Sequence, residues 1–151
     1  MSDESDRALV RAAADAAGIT LATSREGDPE RADEFRVAEN GSVLGRTLVA
    51  IGAPLGEKNA ESTVVLPGYL SDAPDVIRRE FVWTYLSLRG AEHAGKDTLT
   101  VREERSDRYL RSLANLFRDV LDGEATVSGK NLIVSAEAAR TFRSWPTPLQ
   151  D

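Results

Sequence analysis

The stretch from Asp107 to Asp122 constrains the fold more than any other part of this chain. At about 100° per residue, Tyr109, Leu110, Leu113, Leu116, Phe117, Val120 and Leu121 fall within one arc, and Gly123 follows as a stop. A helix patterned this way must bury that arc against another element. A second helix is predicted from Asp72 as cap, with Pro74 tolerated in the first turn and Asp75 favouring the positive helix end. Its expected buried stripe is Val76, Ile77, Phe81, Tyr85 and Leu88. From Phe81 to Leu88, however, the run FVWTYLSL is apolar around nearly the whole circumference. Such a helix lies at the centre of a core or carries a second buried face.

Strands are expected between and before these helices. Thr98–Val101 alternates, with Leu99 and Val101 on one face, and Thr126–Val134 holds a turn at Gly129. Ser62–Leu66 reads as a strand closed by Pro67-Gly68. Phe35–Glu39 and Val43–Ala53, joined by Asn40-Gly41, read as a β-hairpin, because Asn-Gly supplies the two positive φ angles of a type I′ turn. Near the start, a helix over residues 1–18 is capped by Ser5, striped by Leu9, Val10, Ala13 and Ala17, and stopped by Gly18. A short strand at Ile19–Thr23 precedes an exposed acidic loop over residues 24–34. Ser135 caps a last helix carrying Ala139, Phe142 and Trp145, and residues 146–151 form a tail after Pro146.

Strands that run consecutively before helices intervene point to an α+β fold rather than a doubly wound parallel one. The expected architecture is a single domain over residues 1–151. It has a mixed or antiparallel sheet of about four to six strands packed by two main helices, with peripheral N- and C-terminal helices. At 151 residues one core suffices, and no repeat of solenoid length occurs.

Composition removes several chemistries. No cysteine is present, so disulfides, thiolate metal sites and cysteine nucleophiles are excluded. The single histidine, His93, rules out His-pair metal sites. The start MSDESD lacks the basic end and apolar run of a signal peptide, and no apolar stretch approaches the roughly 20 residues of a bilayer span. An intracellular location is therefore expected, in the cytoplasm or within a virion.

Motifs that resemble active sites dissolve when their context is read. Gly90-Ala91-Glu92-His93-Ala94-Gly95-Lys96 has the glycine and lysine spacing of a phosphate-binding loop, but Asp97 stands where Ser or Thr would ligate magnesium. A helix precedes this segment and a strand follows, the reverse of the order that presents helix N–H groups to phosphate. His93 has Glu92 beside it but no serine elbow to serve. The acids Glu26, Asp28, Glu30, Asp33 and Glu34 lack a calcium-loop pattern, and Asn40-Gly41-Ser42 is explained by its turn. No catalytic residue, cofactor site or metal site is assigned, and no enzyme activity is expected.

The distribution of charge carries more information. The net charge of −6 is uneven: residues 1–75 sum to −7 and residues 76–151 to +1. Arginine outnumbers lysine 16 to 3, which fits GC-rich codons or a salt-adapted cytoplasm. Arg102, Arg105, Arg108, Arg111 and Arg118 lie on or lead into the face opposite the apolar arc, a geometry suited to bidentate capture of carboxylates. Six of the nine aromatics fall between Tyr69 and Phe117. Trp83 points ~160° away from Phe81 and Tyr85. It is therefore expected to be mostly buried, either against the sheet or against another subunit.

The function expected from these features is non-enzymatic assembly or interaction, as a homo-oligomer or a subunit of a larger complex. The size and chemistry suit a virion connector or tail-type component. Candidate interface residues are Trp83, Tyr85, Arg105, Arg108, Arg111 and Arg118. The alternative is a small carboxylate-dependent enzyme, or a ligand-binding domain whose pocket is lined by Trp83, Tyr85 and Tyr109. A third reading is a nucleic-acid-associated regulator using the arginine face, which the net negative field opposes. The partner is thus expected to be protein; a membrane is not expected, and no motif indicates a small molecule.

Overall fold

In the computed structural model, which describes residues 4–24, 34–53 and 64–146, the N-terminal segment is a helix, α1 (Glu4–Ala16). Gly18 at φ +66° ends it in the left-handed conformation that glycine adopts without penalty. Leu9 and Val10 are half-buried, and Ala14 is the buried residue of the helix. The Ser5 cap lies outside the described side chains. Strand β1 (Leu21–Ser24) pairs antiparallel with β2 (Glu34–Val37), from Leu21 opposite Val37 to Ser24 opposite Glu34. Residues 25–33, most of the expected acidic loop, lie outside the described residues.

The expected hairpin across Asn40-Gly41 does not form. Phe35 pairs backward with Thr23, and Gly41–Ala50 is a helix, α2. The reason lies in the backbone. Asn40 has φ +56°, but Gly41 does not share a positive φ, so the type I′ turn is not made. Asn40 instead starts the helix, its carbonyl accepting from the amides of Val43 and Leu44. Gly52 at φ +99° follows the last turn and approaches Gly68 so closely that a Cβ would lie 2.7 Å from the Gly68 nitrogen.

The chain divides into two compact units, the first reaching Leu48 and the second spanning Val49–Pro148. Of the expected strand at Ser62–Leu66, residues 62 and 63 lie outside the described residues. Val64–Leu66 joins no sheet; Val64 is buried in the core and Leu66 packs against it. A 3-10 turn (Gly68–Ser71) follows, with Asp72 at its end. Helix α3 (Asp75–Arg89) therefore begins after Pro74, without a side-chain cap.

The second unit is a sheet with helices on one side. Strands β3 (Gly90–His93), β4 (Lys96–Arg102), β5 (Ala125–Ser128) and β6 (Asn131–Val134) form an antiparallel sheet in the order β3-β4-β6-β5. Register puts Leu99 opposite Val134 and Val101 opposite Leu132, and Ala125 and Val127 continue the same face on β5. That face is the core. It packs against α4 (Asp107–Val120), whose buried residues are Tyr109, Leu110, Leu113, Ala114, Leu116 and Phe117. The arc read from the sequence is the arc that is buried. Ser106 caps α4 by accepting the Tyr109 amide, and Ser135 caps α5 (Ala136–Ser144) by accepting the Ala138 amide.

Helix α3 lies on α4, but not through its expected stripe. Val82 and Leu86 are fully buried, Phe81 and Tyr85 flank them, and Val76 and Ile77 are 60% and 43% exposed. An all-round apolar helix carries no preferred face in its own periodicity, so packing on α4 chooses it. Gly90–His93, which follows the helix in the segment with phosphate-loop spacing, is the edge strand β3, and Gly95 at φ +74° turns it into β4. The described helices include none long and apolar enough to cross a membrane.

Candidate functional site

The inward period-2 pattern of β4, Leu99 and Val101, continues past the strand to Glu103, whose amide still bonds the Lys130 carbonyl. Glu103 is therefore carried into the interior, where it is 4% exposed. A buried carboxylate costs several kcal/mol unless paired. Here three donors converge on one oxygen. The Tyr85 hydroxyl donates to Glu103 Oε2 at 2.6 Å, Arg105 Nη1 at 2.7 Å and Arg89 Nη2 at 3.5 Å. Arg89 also donates to the Arg102 carbonyl at 3.2 Å. The Arg105 guanidinium lies over the Tyr109 ring, 4.8 Å from its centroid. Burial, and then the bond to Glu103, raise the Tyr85 phenol above its ordinary value, so it is a neutral donor.

This polar cluster borders a pocket of about 330 Å³. The walls include Val64, Phe81, Leu88 and Tyr109, and Tyr85, Arg89 and Arg105 supply polar groups. Of the three residues expected to line a pocket, Tyr85 and Tyr109 do so. Trp83 lies elsewhere, half-buried against Phe142 of α5 with ring centroids 6.5 Å apart. Phe142 in turn meets Trp145, over which Arg79 is placed.

The candidate arginines divide between two environments. Arg105 belongs to the interior cluster. Arg108, Arg111 and Arg118 are exposed on the outer face of α4. Arg111 reaches Asp107 only at 4.0 Å, while Arg118 bonds Asn115 Oδ1 and the Ala114 carbonyl. Arg108 borders a groove of about 490 Å³ between residues 65–71 and α4, beside the 2.9 Å pair of Arg78 with Asp119.

Apolar side chains are also exposed in and just beyond α2. No residue of that helix is buried, and Val43, Leu48 and Ile51 are 60%, 42% and 47% exposed. Ile51 adjoins the Gly52–Gly68 contact, on whose other side stands Tyr69, also exposed.

His93 is exposed on β3 opposite Lys96, and the Glu92 carboxylate is engaged by Arg143 at 2.9 Å rather than by His93. Among the described residues no group of three His, Asp or Glu side chains is placed to hold a metal ion. Neither Glu103 nor Arg89 is among the candidate residues that the sequence offers. Glu103 was detectable by extending the alternation of Leu99 and Val101 by two residues; Arg89, at the end of an all-round apolar helix, left no comparable signal. No family model, curated protein or solved structure matches this chain.

Proposed function

We propose that this chain is a non-enzymatic assembly protein that joins copies of itself through α2. The observation that carries the reading is a helix of ten residues, half of them apolar (Val43, Leu44, Leu48, Val49 and Ala50), with none buried. A helix this short is marginal in water alone, and one apolar around its circumference is stable when another surface covers it. Arg46 is its one charged residue, so little opposes close approach of a like surface. In a two-fold contact the same helix stands on both sides, and each copy covers the other. The acidic first half and the exposed Arg108, Arg111 and Arg118 supply complementary charge for further contacts between copies.

Native mass of the full chain across a range of concentrations tests this. The expected result is a discrete oligomer that Leu48→Glu converts to monomer while the thermal unfolding of the second unit is unchanged. A wild-type monomer at every concentration overturns the reading. So does an oligomer that withstands Leu48→Glu.

A further inference from the structure

We infer that the pocket between the 64–67 segment, α3 and the start of α4 binds a small amphipathic molecule carrying a single carboxylate. Its volume, about 330 Å³, falls at the lower end of the roughly 300–1,000 Å³ of small-molecule sites. Val64, Phe81, Leu88 and Tyr109 offer an apolar body its contacts, and Arg89 and Arg105 border the same space.

The charge balance selects the head group. Among the described residues, the ion pairs of Arg89 and Arg105 both run to Glu103. Two guanidiniums sharing one carboxylate leave one positive charge, and Tyr85 adds a donor to that carboxylate rather than an acceptor. A second anionic oxygen neutralises that surplus and offers an acceptor to the half-exposed Arg89 guanidinium at the pocket's edge. One surplus charge matches a monoanion rather than a phosphate diester chain or a polyacid. The apolar walls favour a hydrocarbon or aromatic body over a sugar. Arg105, held on the Tyr109 ring and by Glu103, is already oriented, so little side-chain freedom is lost when the acid binds.

Titration of the full chain with octanoate, 1-octanol and octylamine, followed by calorimetry and by amide chemical shifts, tests the assignment. Octanoate is expected to saturate one site, with shifts centred on Phe81–Arg89 and Tyr109. Octanol is expected about tenfold weaker, for loss of the charge-assisted bonds, and octylamine is expected not to bind. Arg89 is half-exposed, and Arg105 and Tyr85 still hold Glu103 without it, so Arg89→Gln should weaken octanoate about tenfold while the chain stays folded. Thr84→Trp, which fills the pocket from α3, should abolish binding of both octanoate and octanol. The inference is overturned if octanoate does not saturate, if octanol binds as tightly as octanoate, if Arg89→Gln leaves the affinity unchanged, or if a folded Thr84→Trp still binds. None of these results depends on the oligomeric state.

Discussion

Trp83 on α3 and Phe142 on α5 meet with ring centroids 6.5 Å apart and planes inclined at 45°. Trp83 lies away from Phe81 and Tyr85 around α3, and α5 covers part of it. The contact ties the C-terminal helix to the centre of the second unit. Ala138 and Ala139, both about one turn before Phe142 on α5, are fully buried in the same core.

Removal of the Trp83 ring therefore acts on stability. Trp83→Ala is expected to destabilise the chain by about 2 kcal/mol, below the roughly 3–5 kcal/mol of a fully buried tryptophan because this one is only half-buried. Urea unfolding measures the change, and native mass should be unaffected. A variant of wild-type stability that has lost its oligomer would place Trp83 at a contact between copies instead.

The Tyr85–Glu103 bond has a pH signature. Burial, followed by the bond to Glu103, raises the Tyr85 phenol above its ordinary value of 10.0 in the folded state. The native state thus keeps a proton that the unfolded chain gives up above about pH 10. The stabilisation is fully present below that pH and declines as pH rises toward the folded-state value. Tyr85→Phe should lower stability by about 1–2 kcal/mol at pH 7, with the gap from wild type narrowing above pH 10. Urea midpoints for both proteins between pH 8 and 11 would show it. Parallel curves over that range would mean that another group governs the alkaline limit.

Arg111 separates fold from assembly. Its side chain is exposed and its pair with Asp107, at 4.0 Å, is also exposed, so the pair contributes little to stability. Arg111→Glu is expected to change the unfolding free energy by no more than about 0.5 kcal/mol while shifting native mass toward smaller species. Normal assembly of this variant would remove the arginine face from the contacts between copies. Unfolding would show Arg111 to be structural.

What the sequence determined by itself is clearest where a local pattern has one reading. The apolar arc of α4 has polar residues on its other side, so its orientation followed from period alone. Gly129 between two short alternating runs, and Ser135 before an apolar-periodic one, likewise fixed the β5–β6 turn and the start of α5 by local backbone and capping chemistry. Tertiary structure decided the rest. Phe81–Leu88 can bury any side, and the surface of α4 selected Val82 and Leu86. Asn40-Gly41 satisfies either a hairpin or a helix start, and the pairing of Phe35 with Thr23 withheld β2 from the segment that became α2. The Tyr85–Glu103–Arg105 cluster was only half legible. Alternation along β4 points Glu103 inward, but which hydroxyl and which guanidiniums meet it depends on how α3 crosses the sheet end, and that is set by close packing between elements distant in the chain.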